Sequence, residues 1–526
     1  MGIPSFYRHL VKKFPSLIKQ KVGAAPAILA LDLNCAIYHC LSKLQKKTPY
    51  EALKHQEFED SLIQSVIKYI VKLRDHVQPT ELLYVAVDGV VPMAKIRQQR
   101  MRRFKSVWVG AEEAKIKGVV GGTGWDRNAI TPGTIFMDKL SKRLGEWSKS
   151  QKNTIVSDVY ETGEGEQKIM EYLRKTGVKA GSEIVVYGLD ADLIVLCLWH
   201  HEQFGWSFKL LREDVELKGG VKLNAFGEEQ LLYFDIDQCG AIIKGKWNIS
   251  LRDYMGAMSF LGNDFVPHGL TLCIRDEGIE TLMGLLQKLG KPLVLDDGNG
   301  GYTYDKDVIA WLVKEIAAGE DKHILESISK KMKMNGYSSG TKEVSDEEKA
   351  LAAFNSLPLT WKVEREIVQR SDKGWHFKDE WNHLYYKTFL WGATADTVVK
   401  QWYTGIQWIL DYYTGNKAID MYWYYPWYLP PLFRDISKVP FVRPSCSTVA
   451  NHISPTAQLV MVLPIESYKL LPTWTKRLAL DHPEFFPSTW NFFSCGRRQL
   501  WECEPMIPML PYSIVEKYVK AKTRVS

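Results

Sequence analysis

Seven carboxylates carry the chemistry that this sequence suggests. Asp32 ends the run LALDLN, Asp88 ends LYVAVDG, and Asp190 and Asp192 end VVYGLDAD. Glu164 and Glu166 lie in TGEGEQKIMEYL, after the short run TIV, and Asp264 lies in FLGNDF. Each acid closes an apolar stretch or opens a helical one. Taken singly, such residues are common turn formers or helix starters. Taken together they have another use if the apolar runs are strands of one parallel sheet. Ligands then bind in the crevice beyond the strand carboxyl ends, and acids far apart in sequence meet there. Seven anions in one crevice repel, and divalent metal is the natural remedy. All-oxygen ligands select hard cations such as Mg²⁺ or Mn²⁺. Seven exceed what one Mg²⁺ takes from protein, which points to two ions and in-line displacement at phosphorus. The nearby pair Asp235 and Asp237 reads as an ordinary loop.

Directly after Asp88 comes GVVPMAKIRQQRMRRFKS, with six basic residues and no acid between Lys95 and Lys105. Pro92 suits a helix start. On that helix Lys95, Gln99, Arg102 and Arg103 share one face. Such a face suits a terminal phosphate, with Arg giving bidentate contacts. A solvated charged face and a non-specific grip on an RNA backbone are the alternatives.

The elements that must position these residues follow from the apolar runs. Ala27–Leu33, Leu82–Val87, Thr154–Val156 and Glu183–Tyr187 read as strands, each followed by a longer helical pattern. Strands alternating with helices imply an α/β fold with a mainly parallel sheet flanked by helices. A stretch such as Ile184-Val185-Val186-Tyr187 suits a sheet covered on both faces. The segment Lys330–Lys349 reads as an exposed connector, polar with a Gly/Ser centre. Beyond it the chain is dense in Trp, Tyr and Pro, as in DMYWYYPWYLPP. Three regions are expected: a core over 1–275 that holds the acids, a helical connector over 276–345, and an aromatic-rich second region over 346–526.

Composition narrows the classes. At 526 residues the chain exceeds one typical domain, and 45% hydrophobic with 25% charged residues is a globular rather than a disordered profile. A net charge of +7 favours an anionic partner. None of the eight cysteines forms a C-x-x-C pair or a zinc-type Cys/His spacing. They read as reduced, buried thiols in a chain without a secretory start. No apolar run approaches a membrane span. The start resembles a myristoylation signal but has Phe6 where Ser or Thr is required.

These motifs resemble those of the eukaryotic 5′→3′ exoribonucleases. The opening MGIPSFYRHLVKKFP is similar to the family's, as are LALDLNCAIYHC, VDGVVPMAKIRQQRMRRFKS, ITPGTIFM, GEGEQKIMEYLR, YGLDADLIVL, LREDVEL and FLGNDFVPH. Later come QWILDYYTG, YWYYPWYLPP, QLVMVLP and GRRQLWE. The resemblance implies a PIN-like, flap-endonuclease-type core with a second region packed on it. It implies processive hydrolysis of 5′-monophosphorylated single-stranded RNA to nucleoside 5′-monophosphates, in decay that follows decapping. It assigns Asp32, Asp88, Glu164, Glu166, Asp190, Asp192 and Asp264 to two Mg²⁺ ions, with Mn²⁺ a substitute. It assigns Lys95, Gln99, Arg102 and Arg103 to a 5′-phosphate pocket that rejects a cap or triphosphate. The family stacks the first base between a His and a Trp, for which Trp423 is the candidate here. Base stacking on aromatic rings contributes about 1–3 kcal/mol for any base.

Three departures stand out. The family's first-motif His is Tyr38 here, with His39 beside it. Its His after GEGE is Gln167, and its Pro before that motif is Thr162. The chain also stops at Ser526 without the family's long extension or a zinc knuckle, as expected of a compact, divergent or viral member. A monomer acting in the cytoplasm is expected. The alternatives are a flap-type DNA nuclease, which shares the acids, and an inactive RNA-binding scaffold, which would be free to lose them.

Overall fold

A computed structural model describes residues 3, 5–21, 23–119, 124–214, 222, 229–334, 345–445 and 453–523. In chain order the first half runs α1 (Phe6–Lys13), β1 (Ile18–Lys19), β2 (Ile28–Asp32), α2 (Leu33–Lys47), α3 (His55–Val77), β3 (Leu82–Ala86) and α4 (Met93–Ile116). It continues with α5 (Ile135–Lys149), β4 (Thr154–Ser157), α6 (Gly165–Lys175), β5 (Glu183–Tyr187), α7 (Asp192–Phe204), β6 (Ser207–Glu213) and β7 (Leu231–Asp235). The four expected strands form, within two residues of the expected ends. The sequence reading did not include β1, β6 and β7. In β6, buried and half-buried residues alternate, the pattern of a strand with one wetter face.

The seven strands make one sheet in the order β1-β7-β6-β5-β2-β3-β4. β2 to β6 are parallel, and β7 and β1 close one edge antiparallel. From β2 the chain first builds outward through β3 and β4. It then crosses back to lay β5 on the other side of β2. That reversal makes the carboxyl ends of β2 and β5 a topological switch point, where ligands bind in such sheets. The register aligns Asp32 with Ala86, and Ala86 with Ser157, so the strands end at nearly one level.

All of β2 is buried, and its residues divide between two cores. Ile28 and Ala30 join a cluster that runs from Ile3 to Cys495, while Leu29 and Leu31 join the core under α2, α3 and α5. A third cluster joins Ile96, Met101 and Phe104 of α4 to residues between Ile453 and Val515. The later half thus packs directly on the first. It consists of helices with three short two-stranded ribbons among the described residues.

Two expectations change. Asp235 and Asp237 are not a loop: Asp235 ends β7 and caps the next helix at Gln238 N (3.0 Å), and Asp237 accepts from Phe208 N (3.0 Å). The proposed exposed connector is helical through Lys333 and again from Asp346, and Lys331 within it is buried. Its charge misled because Lys331 pairs with the buried Glu364 at 2.7 Å. Its centre, 335–344, lies outside the described residues.

Candidate metal centre

The switch point gathers the acids as the strand ends demand. Asp32 is the last residue of β2 and opens α2 without capping it. Its Oδ1 is buried with no hydrogen-bond partner among the described residues. Asp88 follows β3 and is held from two sides, by Asn34 Nδ2 (2.6 Å) and by the Gly165 N–H (2.8 Å). Glu164 and Glu166 flank Gly165 at the start of α6. A Cβ at Gly165 would meet Asp32 Oδ1 at 2.7 Å, so only glycine lets this helix approach β2. Asp192 opens α7, with its own Oδ1 buried and unpartnered. Asp32, Asp88 and Glu166 each offer an oxygen within 4.8 Å of the others, a spacing that suits a cation.

The remaining acids join through Lys95 and through their fields. Lys95 Nζ lies 2.5 Å from Glu164 Oε2 and 3.0 Å from Asp264 Oδ2. Burial alone would lower the Lys95 pKa, but Glu164 and Asp264 raise it well above its usual value. Burial, then Asp88 and Asp190, hold the Asp32 carboxyl well above the usual carboxylate range. Burial and Glu164 do the same for Glu166. Burial and Asp190 push Asp192 up to about 7. Lys168 also faces Asp88, and Lys95 and Arg102 help to hold Asp190 low, yet these cations leave Asp32, Asp88, Glu166 and Asp192 raised. Unpartnered carboxylate oxygens and carboxyls driven toward protonation are what a divalent cation would reverse. The donor set therefore fits a hard metal ion.

The basic run on α4 divides in a way that its sequence did not reveal. Arg100 is fully buried and donates to Met461 O (2.7 Å), Pro508 O (3.1 Å) and Phe485 O, with its plane on Phe104 and Phe486. Lys105 donates to Cys503 O (2.6 Å) and Trp501 O (3.0 Å), and Arg97 to Pro426 O (3.1 Å). These three residues clamp the second half and are not a solvated face. Lys95 sits among the acids. Gln99 and Arg103 are buried and Arg102 half-buried. Arg103 is braced by Asn128 Oδ1 (2.9 Å) and Ile130 O (3.4 Å). Burial lowers its pKa, and the adjacent Tyr38 opposes that.

The stacking candidates separate likewise. Tyr38 is exposed beside Arg103. His39 turns away, 2.9 Å from Glu229 Oε1 and against the Tyr69 ring. Trp423 is half-buried, donates to Gln401 Oε1 (3.3 Å), and packs on Trp408. Trp408 stacks on Tyr412, whose hydroxyl donates to Glu164 Oε1 at 2.6 Å. Tyr412 and Asn34 were not singled out from the sequence. Tyr412 is within reach of the sequence, since it lies in QWILDYYTG; the role of Asn34 needs the β2–β3 register.

The chain is similar to known exonucleases along most of its length. Residues 1–214 match the model described as the XRN 5′-3′ exonuclease N-terminus, and residues 368–522 match that of the Xrn1 helical domain. A Homo sapiens protein named 5′-3′ exoribonuclease 1 is 28% identical, over 97% of this chain and 33% of its own length. A Schizosaccharomyces pombe 5′-3′ exoribonuclease 2 is 32% identical, over 56% of this chain and 38% of its own. A Drosophila melanogaster 5′-3′ exoribonuclease 2 homolog is 24% identical, over 97% and 70%. The chain spans only about a third of the length of the human relative.

Proposed function

The chain belongs to the XRN family of 5′-3′ exonucleases, and on that premise we propose that it hydrolyses single-stranded RNA processively from a 5′-monophosphate end, releasing nucleoside 5′-monophosphates. The observation that carries this reading is the set of acids at the switch point with Asp32, Asp88 and Glu166 mutually within 4.8 Å. The seven acids would hold two Mg²⁺ ions, with Mn²⁺ able to substitute. Bound there, divalent ions lower the pKa of water and stabilise the charge on the leaving oxygen.

The chain's own residues do the positioning. Gln99, Arg102 and Arg103 take the terminal phosphate, and Lys95 joins that pocket to the acids. Asn128 and Ile130 brace Arg103. A pocket sized for one phosphate excludes a triphosphate or cap, so the reaction follows decapping. Tyr38 stacks the first base, in place of a histidine. Asn34 and the Gly165 N–H fix both oxygens of Asp88, so its geometry is set before substrate arrives. Among the described residues no helix is long and apolar enough to cross a membrane; we place the activity in the cytoplasm, with the chain acting as a monomer.

The test is a digestion time course in Mg²⁺ on one 3′-labelled RNA carrying a 5′-monophosphate, hydroxyl or triphosphate. Rapid loss of the monophosphate species alone, with mononucleotides accumulating, is expected. Internal cuts, or equal cleavage of all three, would overturn the proposal.

A further inference from the structure

Pro92, which caps α4, lines an open groove of about 800 Å³. Lys95, three residues on, lies among the acids, and Gln99 to Arg103 follow within the next turns. At about 1.5 Å per residue, Pro92 and Arg103 stand roughly 16 Å apart along the helix, with the acids between them. The second wall is α6. Its start carries Glu164 and Glu166 to the acids, while Gln167, Glu171 and Arg174, at i, i+4 and i+7, share the face that lines the groove. Tyr412 stands between the two: it lines the groove, and its hydroxyl reaches Glu164 Oε1 at 2.6 Å. Sites that bury a small organic ligand span about 300–1,000 Å³, so this volume admits nucleotide units.

Most charges in the groove are already paired. Lys175 meets Glu171 at 2.5 Å, Lys417 meets Asp297 at 2.6 Å, and Asp411 faces Arg443 at 3.6 Å. Arg174 is the exception. It is half-buried and has no carboxylate within ion-pair distance among the described residues. Its Nη1 donates to His200 Nε2 (2.8 Å), and Nδ1 of the same ring lies 2.8 Å from Leu196 O. One proton, on Nδ1, satisfies both contacts. Burial, then Arg174, lower the His200 pKa to about 3, so the ring is neutral and braces the guanidinium without balancing its charge. A Cβ at Gly415 would collide with that guanidinium, so glycine completes its seat. Gln167 is a second idle donor: its Nε2 is buried with no hydrogen-bond partner among the described residues. Such donors are costly unless acceptors pair with them, and arginine's fork matches the oxygens of a phosphodiester. The two lie about 10 Å apart along α6, a spacing that suits successive units of one strand better than a single phosphate.

We propose that this groove holds the RNA strand on the 3′ side of the scissile bond, with Arg174 on a phosphodiester and Gln167 on the nucleotide nearer the acids. The proposal rests on the exonuclease reading, which puts the 5′-phosphate at Arg103 and the scissile bond at the acids. A strand anchored in that way continues past the acids and away from Arg103, and the groove is where α4 and α6 leave room for it. A grip here acts on long RNA and not on a dinucleotide, whose two units end at the acids.

The probes are a dinucleotide and an octanucleotide RNA, each with a 5′-monophosphate and a 3′ fluorophore, titrated into the full chain in EDTA and read by anisotropy. Arg174→Gln is expected to weaken the octanucleotide at least tenfold and the dinucleotide less than twofold. Loss of one phosphate contact should also flatten the octanucleotide's slope of log Kd against log salt by about 0.7, which a merely structural role for Arg174 would leave unchanged. Ala418→Glu, at an exposed position in the groove wall, adds an anion without disturbing the core. It should weaken the octanucleotide at least threefold at an unchanged melting temperature. An octanucleotide indifferent to either change, or a dinucleotide weakened as much as the octanucleotide by Arg174→Gln, would overturn the groove. Digestion of monophosphorylated RNA in Mg²⁺, measured in parallel, keeps the readings apart. Binding through Arg174 without turnover sinks only the exonuclease proposal, and turnover with binding indifferent to Arg174 sinks only the groove.

Discussion

Asp297, in a ribbon of the later half, and Asp32, at the head of the crevice, are both carboxylates taken out of water. Asp297 accepts from Lys417 (2.6 Å), from Arg443, and from the N–H groups of Asn299 (2.8 Å) and Gly301 (2.9 Å). Burial alone would raise its pKa, but Arg443 and Lys417 hold it well below the usual carboxylate range. Glu364 stands between the two: Lys331 and the Gly496 N–H (2.7 Å) both reach its Oε1, while its Oε2 is buried without a hydrogen-bond partner among the described residues. Asp32 keeps an unpartnered oxygen and a raised pKa. The difference separates acids that the fold satisfies from acids that it leaves unfinished. A finished acid holds the fold together, and an unfinished one awaits a ligand.

That contrast can be broken most directly at Asp192 and Asp297. Asp192→Asn is expected to cut RNA hydrolysis at least about 1,000-fold, ~4 kcal/mol of barrier. In EDTA it should melt no lower than the parent, because it removes one of several repelling charges. Asp297→Asn should melt lower and leave the acids untouched. Equal destabilisation of both variants, read by calorimetry, would erase the distinction. Next, Lys331→Met strands a buried Glu364 and should lower stability by about 3–5 kcal/mol in denaturant titration.

The pH dependence sharpens the same comparison. Carboxyls with raised native pKa values bind protons more tightly folded than unfolded, so they stabilise the fold at low pH. In EDTA, stability is expected to fall as pH rises from about 4 through the Asp192 value of about 7. Asp297 contributes in the opposite sense, with stability present at neutral pH and lost in acid. Saturating Mg²⁺ should flatten the first slope, because the cation replaces the protons. A metal-independent slope between pH 4 and 7 would count against the centre. The smallest effects belong to the substrate contacts. Arg103→Ala should erode the preference for a monophosphate over a hydroxyl end by about 1.5–3 kcal/mol. Tyr38→Ala should weaken RNA binding by about 1–3 kcal/mol with little change in that preference.

Much of this was legible from residue order, where the signal is local. Four apolar runs marked the central strands, and the acids were visible because each stands where a run ends. The parts that stayed hidden depend on partners remote in the chain. Lys95 and Arg100 look alike in KIRQQRMRR, yet one lies among carboxylates and the other among carbonyls of residues 461–508. Nothing within the helix distinguishes them. Lys331 looked solvated because Glu364 lies 33 positions away. His39 and Tyr38 are neighbours on one helix, and only the packing of α2 decides which ring faces Arg103.

The clamp on Arg100 has a consequence during synthesis. Its three carbonyl partners lie 361 to 408 residues downstream. At a translation rate of roughly 5–20 residues per second, α4 leaves the ribosome about 20–80 s before those acceptors exist. Throughout that interval Arg100 lacks its carbonyl acceptors, and α4 can reach its final packing only when residues 453–515 arrive.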